Sequence, residues 1–336
     1  MIKDAIAKLA DRTNLSEKEA EEVMHEIMEG AASPAQIAAY LMGLRIKGET
    51  VDEIAGSAKA MRAKAIRIRA ADPLVVDTCG TGGDRANTFN ISTTTAFVVA
   101  GAGVTVAKHG NRSVSSQSGS ADVLKALGVT IDLSPTRVAD CINEVGIGFL
   151  FAPLFHGAMK HCAVPRQEIG VQTLLNILGP LTNPAGATVQ VLGVYDENLT
   201  ERMAQVLLRL GTQHCFLVHG MDGLDEVTIT ERTRVSEGKA GVVSSYFIEP
   251  GDFGLERVRL QDLHGGTAEE NAHLTKEILQ GRKGSKRNVV CMNAALALVA
   301  ARRAKTLQEG FALAGRTIDM GVAMEKLERL IEFTNK

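Results

Sequence analysis

The first seventy positions repeat apolar residues at helical spacing. Ile37, Leu41 and Leu44 recur three and four apart, as on the buried stripe of a helix. Three pairs mark helix starts: Ser16 with Glu19, Ser33 with Gln36 and Thr50 with Glu53. In each, a hydroxyl can accept an orphan N–H of the first turn while the longer side chain reaches back to the cap's own amide. Pro34 falls at a first helical position, where its missing N–H costs nothing. Gly30 and Gly48 fit helix ends. Residues 1–70 are therefore expected to form a small α-helical domain, joined by helices near 165–185.

After Pro73 the period changes. Short β-branched runs at Leu74–Asp77, Val104–Ala107, Val129–Leu133, Ile147–Phe151, Val189–Val194 and Cys215–Val218 read as strands. Thr93–Ala100, Ala121–Leu127 and Thr136–Val145 suit crossover helices. The alternation predicts an α/β domain over 71–336, with a mainly parallel central sheet and helices on its faces. Val242–Ile248, beyond a polar stretch, is expected as an antiparallel excursion. From about Thr267 the pattern is helical again, including the Ala- and Leu-rich run Asn293–Ala301.

Charge and composition narrow the function. The 336 residues are 45% hydrophobic and 23% charged, enough for a real core. Lys plus Arg is 37 against 39 Asp plus Glu, a net charge of −2, which argues against a nucleic-acid partner. Cys79, Cys141, Cys162, Cys215 and Cys291 are odd in number and show no C-x-x-C spacing. They read as free thiols in a reducing compartment rather than a zinc site. The start, Met1-Ile2-Lys3-Asp4, has no apolar signal region, and no run is long and apolar enough to span a bilayer. The expectation is a cytoplasmic protein without a membrane partner.

The chemistry concentrates in loops that follow strands. Asp77-Thr-Cys-Gly80-Thr-Gly82-Gly83-Asp84 leads into Thr88-Phe-Asn90-Ile91-Ser92-Thr93-Thr94 at a predicted helix start. Glycines permit close backbone approach to a ligand, and free amides at a helix N-terminus favour phosphate. The loop lacks the lysine of a P-loop and the third glycine of a dinucleotide fingerprint. Alone, it would read equally well as a turn that binds nothing. A second segment, Lys108-His109-Gly110-Asn111-Arg112-Ser113-Val-Ser115-Ser116, then Ser118-Gly119-Ser120, also lies between a strand and a helix. Its Arg suits bidentate phosphate contact and its Lys a point charge. Two such loops at the carboxyl ends of neighbouring strands make a phosphate cradle the better reading. A third loop, Gly220-Met-Asp222-Gly223-Leu224-Asp225-Glu226, offers adjacent carboxylates of the kind that hold Mg²⁺ together with substrate phosphates. By itself that tetrapeptide is weak evidence, and a polar turn is the plain alternative.

These residues closely resemble the anthranilate phosphoribosyltransferase family of tryptophan biosynthesis. Gly80-Thr-Gly-Gly-Asp84, Thr88-Phe-Asn90-Ile-Ser92-Thr93, Lys108-His-Gly-Asn-Arg112, Ser115-Ser116, Gly119-Ser-Ala-Asp122, Asn176-x-x-Gly179-Pro180-Leu-x-Asn183-Pro184 and Gly223-Leu-Asp-Glu226 carry the likeness, in the family's order over nearly the whole chain. The resemblance implies a helical domain packed on a phosphorylase-like α/β domain, usually as a homodimer. It implies phosphoribosyl pyrophosphate held by Gly80, Gly82, Gly83, Asp84, Thr88, Asn90, Ile91, Ser92, Thr93, Lys108, His109, Gly110, Asn111, Arg112, Ser115, Ser116 and Ser120. It further implies two Mg²⁺ ions on Ser92, Asp225 and Glu226, and anthranilate bordered by Gly80, Asn111 and Arg166.

Three positions depart from the family pattern: Arg85, Gln172, and the order Ala163-Val-Pro-Arg166. No general base is assigned, since an aryl amine is neutral at pH 7. His109 reads first as a loop histidine bonded to backbone, and His156 and His161 as packing or acceptor-pocket lining. A pyrimidine nucleoside phosphorylase and a non-catalytic nucleic-acid-binding relative are the alternatives.

Overall fold

The computed structural model describes residues 1–84, 86–112 and 118–336. The readings placed on Arg85, Ser115 and Ser116 lie outside the described residues.

The N-terminal helices Ile2–Ala10, Glu17–Met28, Pro34–Lys47 and Val51–Lys64 form where the caps place them. At the second, the Ser16 hydroxyl accepts the Glu19 N–H at 3.3 Å, and Glu19 Oε2 accepts the Ser16 N–H at 3.0 Å. The boxes at Ser33 and Thr50 close in the same way. Gly48, at φ 89°, ends the third helix. Ile27, Ile37, Tyr40, Leu41 and Leu44 are fully buried, and their cluster continues into Leu174–Leu178 and Leu199–Arg209. The helix Lys160–Ile169 packs on Pro34–Lys47 and Glu17–Met28. Arg62 stitches this lobe to the rest, donating to Leu181 O at 2.7 Å and Leu210 O at 2.9 Å.

The sheet has seven strands: β1 (Val76–Gly80), β2 (Val106–Gly110), β3 (Ile147–Phe151), β4 (Val189–Gly193), β5 (His214–Gly220), β6 (Thr233–Lys239) and β7 (Val242–Ile248). Their order is β3-β2-β1-β4-β5-β6-β7, parallel through β5 and antiparallel at β6 and β7. Strand order reverses at β1, which opens a crevice outside the carboxyl ends of the central strands. The helix Ile91–Gly101 is buried on nearly every side because it lies between the sheet and the helices Ser285–Ala300 and Val322–Thr334.

One strand expectation is corrected, and one strand was not foreseen. Val129–Leu133 is not a strand. Val129 and Ile131 are buried in the main core, but β3 already covers the outer edge of β2, and the Thr130 N–H bonds the Thr334 hydroxyl at 3.2 Å. Thr233–Lys239 is a strand despite its polar sequence, because its backbone pairs with both β5 and β7.

The β1–β2 ladder has a single rung, Val76 opposite Val106, whereas β1–β4 has five. Beyond that rung the two strands part. The amide of His109 is taken by the Asp77 carboxylate at 3.2 Å. Asn183 bridges the gap, donating to Asp77 Oδ2 and to Ala107 O, each at 2.8 Å.

Candidate active site

The acidic loop rests on glycine. Gly80 and Gly193 are register partners at the ends of β1 and β4. A Cβ on Gly80 would overlap the Asp225 carboxylate, and one on Gly193 would overlap the Asp225 backbone. Two bare strand ends thus form a notch that seats Asp225. Gly193 was not singled out from the sequence, because its need for a hydrogen comes from a residue thirty-two positions away. Gly193→Ala is expected to lift the acid loop and lower kcat/KM by about a hundred-fold, the cost of misplacing a reacting group by about 1 Å. Steady-state kinetics beside a melting curve check it, and unchanged kcat/KM would remove the notch from the site.

From this seat Asp225 Oδ2 accepts the Gly82 N–H at 2.7 Å, and Glu226 Oε1 accepts the Ser92 N–H at 3.0 Å. Asp222 closes the loop from within, accepting the Thr228 hydroxyl at 2.6 Å and the Leu224 N–H at 3.3 Å. Both acids are buried. Burial drives both carboxyl groups upward, Glu226 to about 8, and the negative charge of Asp84 adds to the rise in each. Lys108 is also buried; its ammonium donates to Thr78 O at 2.5 Å and lies 3.4 Å from the Ser92 hydroxyl. Burial alone lowers its proton affinity, while Asp77 and Glu226 oppose that fall.

The segments near 80, 108 and 225 therefore meet in one cluster. The remaining loop residues surround it. Asn90 donates to Ser118 O at 3.2 Å and accepts from Asn271 at 3.0 Å, which ties the second loop to the first. Asn271 was not anticipated from the sequence. Thr88 pairs with His264 in an isolated bridge, Ile91 opens the helix, and Thr93 is buried in its first turn. Gly82 and Gly83 sit at φ 69° and 85°, where only glycine is unstrained. Gly110 leaves room for the Ser120 hydroxyl, which lies 3.3 Å from Asn111 O. Arg112 is exposed and leans on Asp122 at 3.5 Å, with Phe151 beneath its guanidinium. Asn111 is exposed beside it.

Arg166 lies on the helix Lys160–Ile169, half-buried, with no carboxylate partner among the described residues. A few residues on, Gln172 Nε2 donates to Gly83 O at 3.4 Å, so the arm carrying Arg166 touches the first glycine loop.

His109 corrects an expectation. It is a buried strand residue rather than a loop residue; Lys108 and Gly110 lie on the same strand. Its ring tilts against His156 with centroids 5.2 Å apart. Burial lowers His109 to about 3, with His156 adding to the fall, and lowers His156 to about 4. Both rings are neutral in the fold. His161 instead packs over Gly30 in the helical lobe. An unfolded histidine titrates near ~6.5. Below that pH the unfolded chain takes up protons that the folded chain refuses, so stability falls as pH drops from about 6.5 toward 4. The melting temperature should decline over that range and decline less in His109→Gln; identical profiles would contradict the burial of a neutral ring.

A helical bundle beside a parallel α/β sheet, with glycine loops and an acid pair at one crevice, defines a glycosyl transferase. Residues 72–324 match the a/b domain of the glycosyl transferase family, and residues 3–65 match its helical bundle domain. The anthranilate phosphoribosyltransferase of Desulfosudis oleivorans is 57% identical over 335 residues, covering 99% of each chain. That of Moorella thermoacetica is 57% identical over 331 residues, covering 98% of each. The crystal structure of the Thermus thermophilus enzyme superposes with a TM-score of 0.94 at 44% identity, covering 99% of this chain and 100% of that one. The Saccharomyces cerevisiae enzyme, in complex with PRPP and Mg, superposes at 0.90 with 28% identity, covering 99% and 98%. The chain belongs to the anthranilate phosphoribosyltransferase family.

Proposed function

We propose that this chain transfers the phosphoribosyl group of 5-phosphoribosyl 1-pyrophosphate to the amine of anthranilate. The products are N-(5-phosphoribosyl)anthranilate and pyrophosphate, in tryptophan biosynthesis. The observation that carries the reading is the convergence of Lys108, Ser92, Glu226, Asp225 and the Gly82 amide at the carboxyl ends of β1, β2 and β5.

The acid pair fits a divalent cation. Two adjacent buried carboxylates whose protons are held too tightly are relieved by a positive charge. Among the described residues no three His, Cys, Asp or Glu side chains form a metal cage. That suits Mg²⁺, which takes one or two carboxylates and completes its shell with phosphate and water. We place two ions at Ser92, Asp225 and Glu226. When bound, Mg²⁺ offsets the charge that develops on the departing pyrophosphate.

The chain's own groups do the rest. Lys108 faces the diphosphate as a fixed positive charge. The amides of the first glycine loop and of Ser92 and Thr93 cradle its oxygens. The second loop, from Asn111 and Arg112 to Ser120, borders the phosphoribosyl end. As the bond from C1 to the pyrophosphate oxygen breaks, the ribosyl ring gains oxocarbenium character, and its electron pair leaves with the pyrophosphate. Arg166 holds the anthranilate carboxylate, with Gly80 and Asn111 at the border of that pocket, so that the neutral amine meets C1 from the face opposite the leaving group. The nitrogen, cationic once bonded to C1, then releases its proton to solvent without a protein base. His109 and His156 supply neutral walls rather than proton transfer.

The helices of 1–70, with those near 165–185, form the acceptor-side lobe, and 71–336 the donor-side domain. The homodimer follows from the resemblance to the family; light scattering should give twice the 35.8 kDa chain mass. Five buried thiols support a reducing cytoplasm. Among the described residues no helix is long and apolar enough to cross a membrane. The phosphorylase and nucleic-acid readings find no support in the relatives. The deciding assay combines both substrates and Mg²⁺ and follows the loss of anthranilate fluorescence. A folded sample that leaves anthranilate unconsumed, or that phosphorolyses thymidine instead, ends the assignment.

A further inference from the structure

Asn293 is a polar side chain in a largely buried helix, Ser285–Ala300, and is itself 1% exposed. An amide so placed must find partners or cost stability. It has three. Its Oδ1 accepts the Val227 N–H at 3.0 Å, and its Nδ2 donates to Val227 O and to Val289 O, each at 2.9 Å. Val289 is one turn earlier on the same helix. Val227, fully buried, directly follows Glu226.

One side chain thus satisfies both backbone groups of a single loop residue, as a neighbouring strand would. Only asparagine carries a donor and an acceptor side by side at this reach. Aspartate lacks the donor, leucine lacks both, and glutamine is a methylene too long. Glu226 is therefore held between two fixed neighbours: Asp225 in the notch of Gly80 and Gly193, and Val227 on Asn293. Asp222 and the Thr228 hydroxyl complete the loop beyond it.

We infer that Asn293 is a positioning residue that pins Val227 and so fixes the height of the Glu226 carboxylate over the Ser92 amide, setting how tightly the acid pair takes a divalent cation. It touches neither substrate. The inference rests on the reading of Asp225 and Glu226 as metal ligands.

The test uses full-length protein, with Mn²⁺ in the presence of pyrophosphate followed by electron paramagnetic resonance. Asn293→Asp and Asn293→Ser should bind Mn²⁺ about ten- to a hundred-fold more weakly, the usual cost of losing an outer-shell partner. Ile318→Ala, a core truncation on the helix Leu307–Asp319, should destabilise the fold and leave Mn²⁺ affinity unchanged. Should Asn293→Asp fail to fold, the serine variant, which leaves space for water, still reads the effect. Wild-type Mn²⁺ affinity in the Asn293 variants overturns the inference, as does equal weakening in Ile318→Ala. Equal Mn²⁺ binding by wild type and the double variant D225N/E226Q overturns the metal reading instead. Amide hydrogen exchange then decides the pin independently. Loss of Val227 protection in Asn293→Ser supports it, and retained protection overturns it.

Discussion

Converting Asp225 to Asn and Glu226 to Gln together should lower kcat/KM by roughly a thousand-fold, equivalent to about 4 kcal/mol of transition-state stabilisation. The metal-free variant should melt no lower than wild type. The two expectations share one cause. Both carboxyl groups sit in a buried notch beside Asp84, and their raised proton affinities mean that the ionised pair is disfavoured where it stands. The amides that replace them keep the shape and most hydrogen-bond capacity but carry no charge to bury. The Mg²⁺ concentration for half-maximal activity should rise with the loss of rate. A variant with wild-type metal dependence would remove these residues as ligands. A large fall in melting temperature would show that the acids serve the fold instead.

Arg166→Ala should raise KM for anthranilate about ten- to a hundred-fold, as expected for losing a charged hydrogen bond worth roughly 1.5–3 kcal/mol. KM for phosphoribosyl pyrophosphate should move little, because the proposed donor site around Lys108 lies on other elements. The guanidinium is half-buried and has no carboxylate of its own among the described residues, which leaves it ready for an incoming one. Arg166→Lys should recover only part of the loss, since an ammonium cannot make the paired contact. Initial rates with each substrate varied in turn separate the two constants. Equal rises in both would count against an acceptor role.

Much of this was legible in the sequence wherever the cause is local. The three capping boxes lie within four residues each, and all three close as read. The glycine loops announce themselves because both flanks, strand and helix, carry their own periodicity. Strand assignment failed where pairing rather than pattern decides. Val129–Leu133 has the right composition and no edge to join, while Thr233–Lys239 has the wrong composition and two partners. Residues that serve the site from a distance stayed hidden for the same reason. Gly193, Asn271 and Asn293 each answer to a group more than thirty positions away. An asparagine at the head of an Ala- and Leu-rich run was the only hint of the last. His109 was misplaced by a small boundary error: β2 runs to Gly110, so a side chain taken for loop is part of the sheet.

The single rung between β1 and β2 bears on how the enzyme breathes. Local opening follows the path that breaks the fewest backbone bonds. In this sheet that path runs between β1 and β2, while β4 and β5 keep their full pairing. Opening there would break the side-chain bonds of Asp77 and Asn183 rather than a backbone ladder.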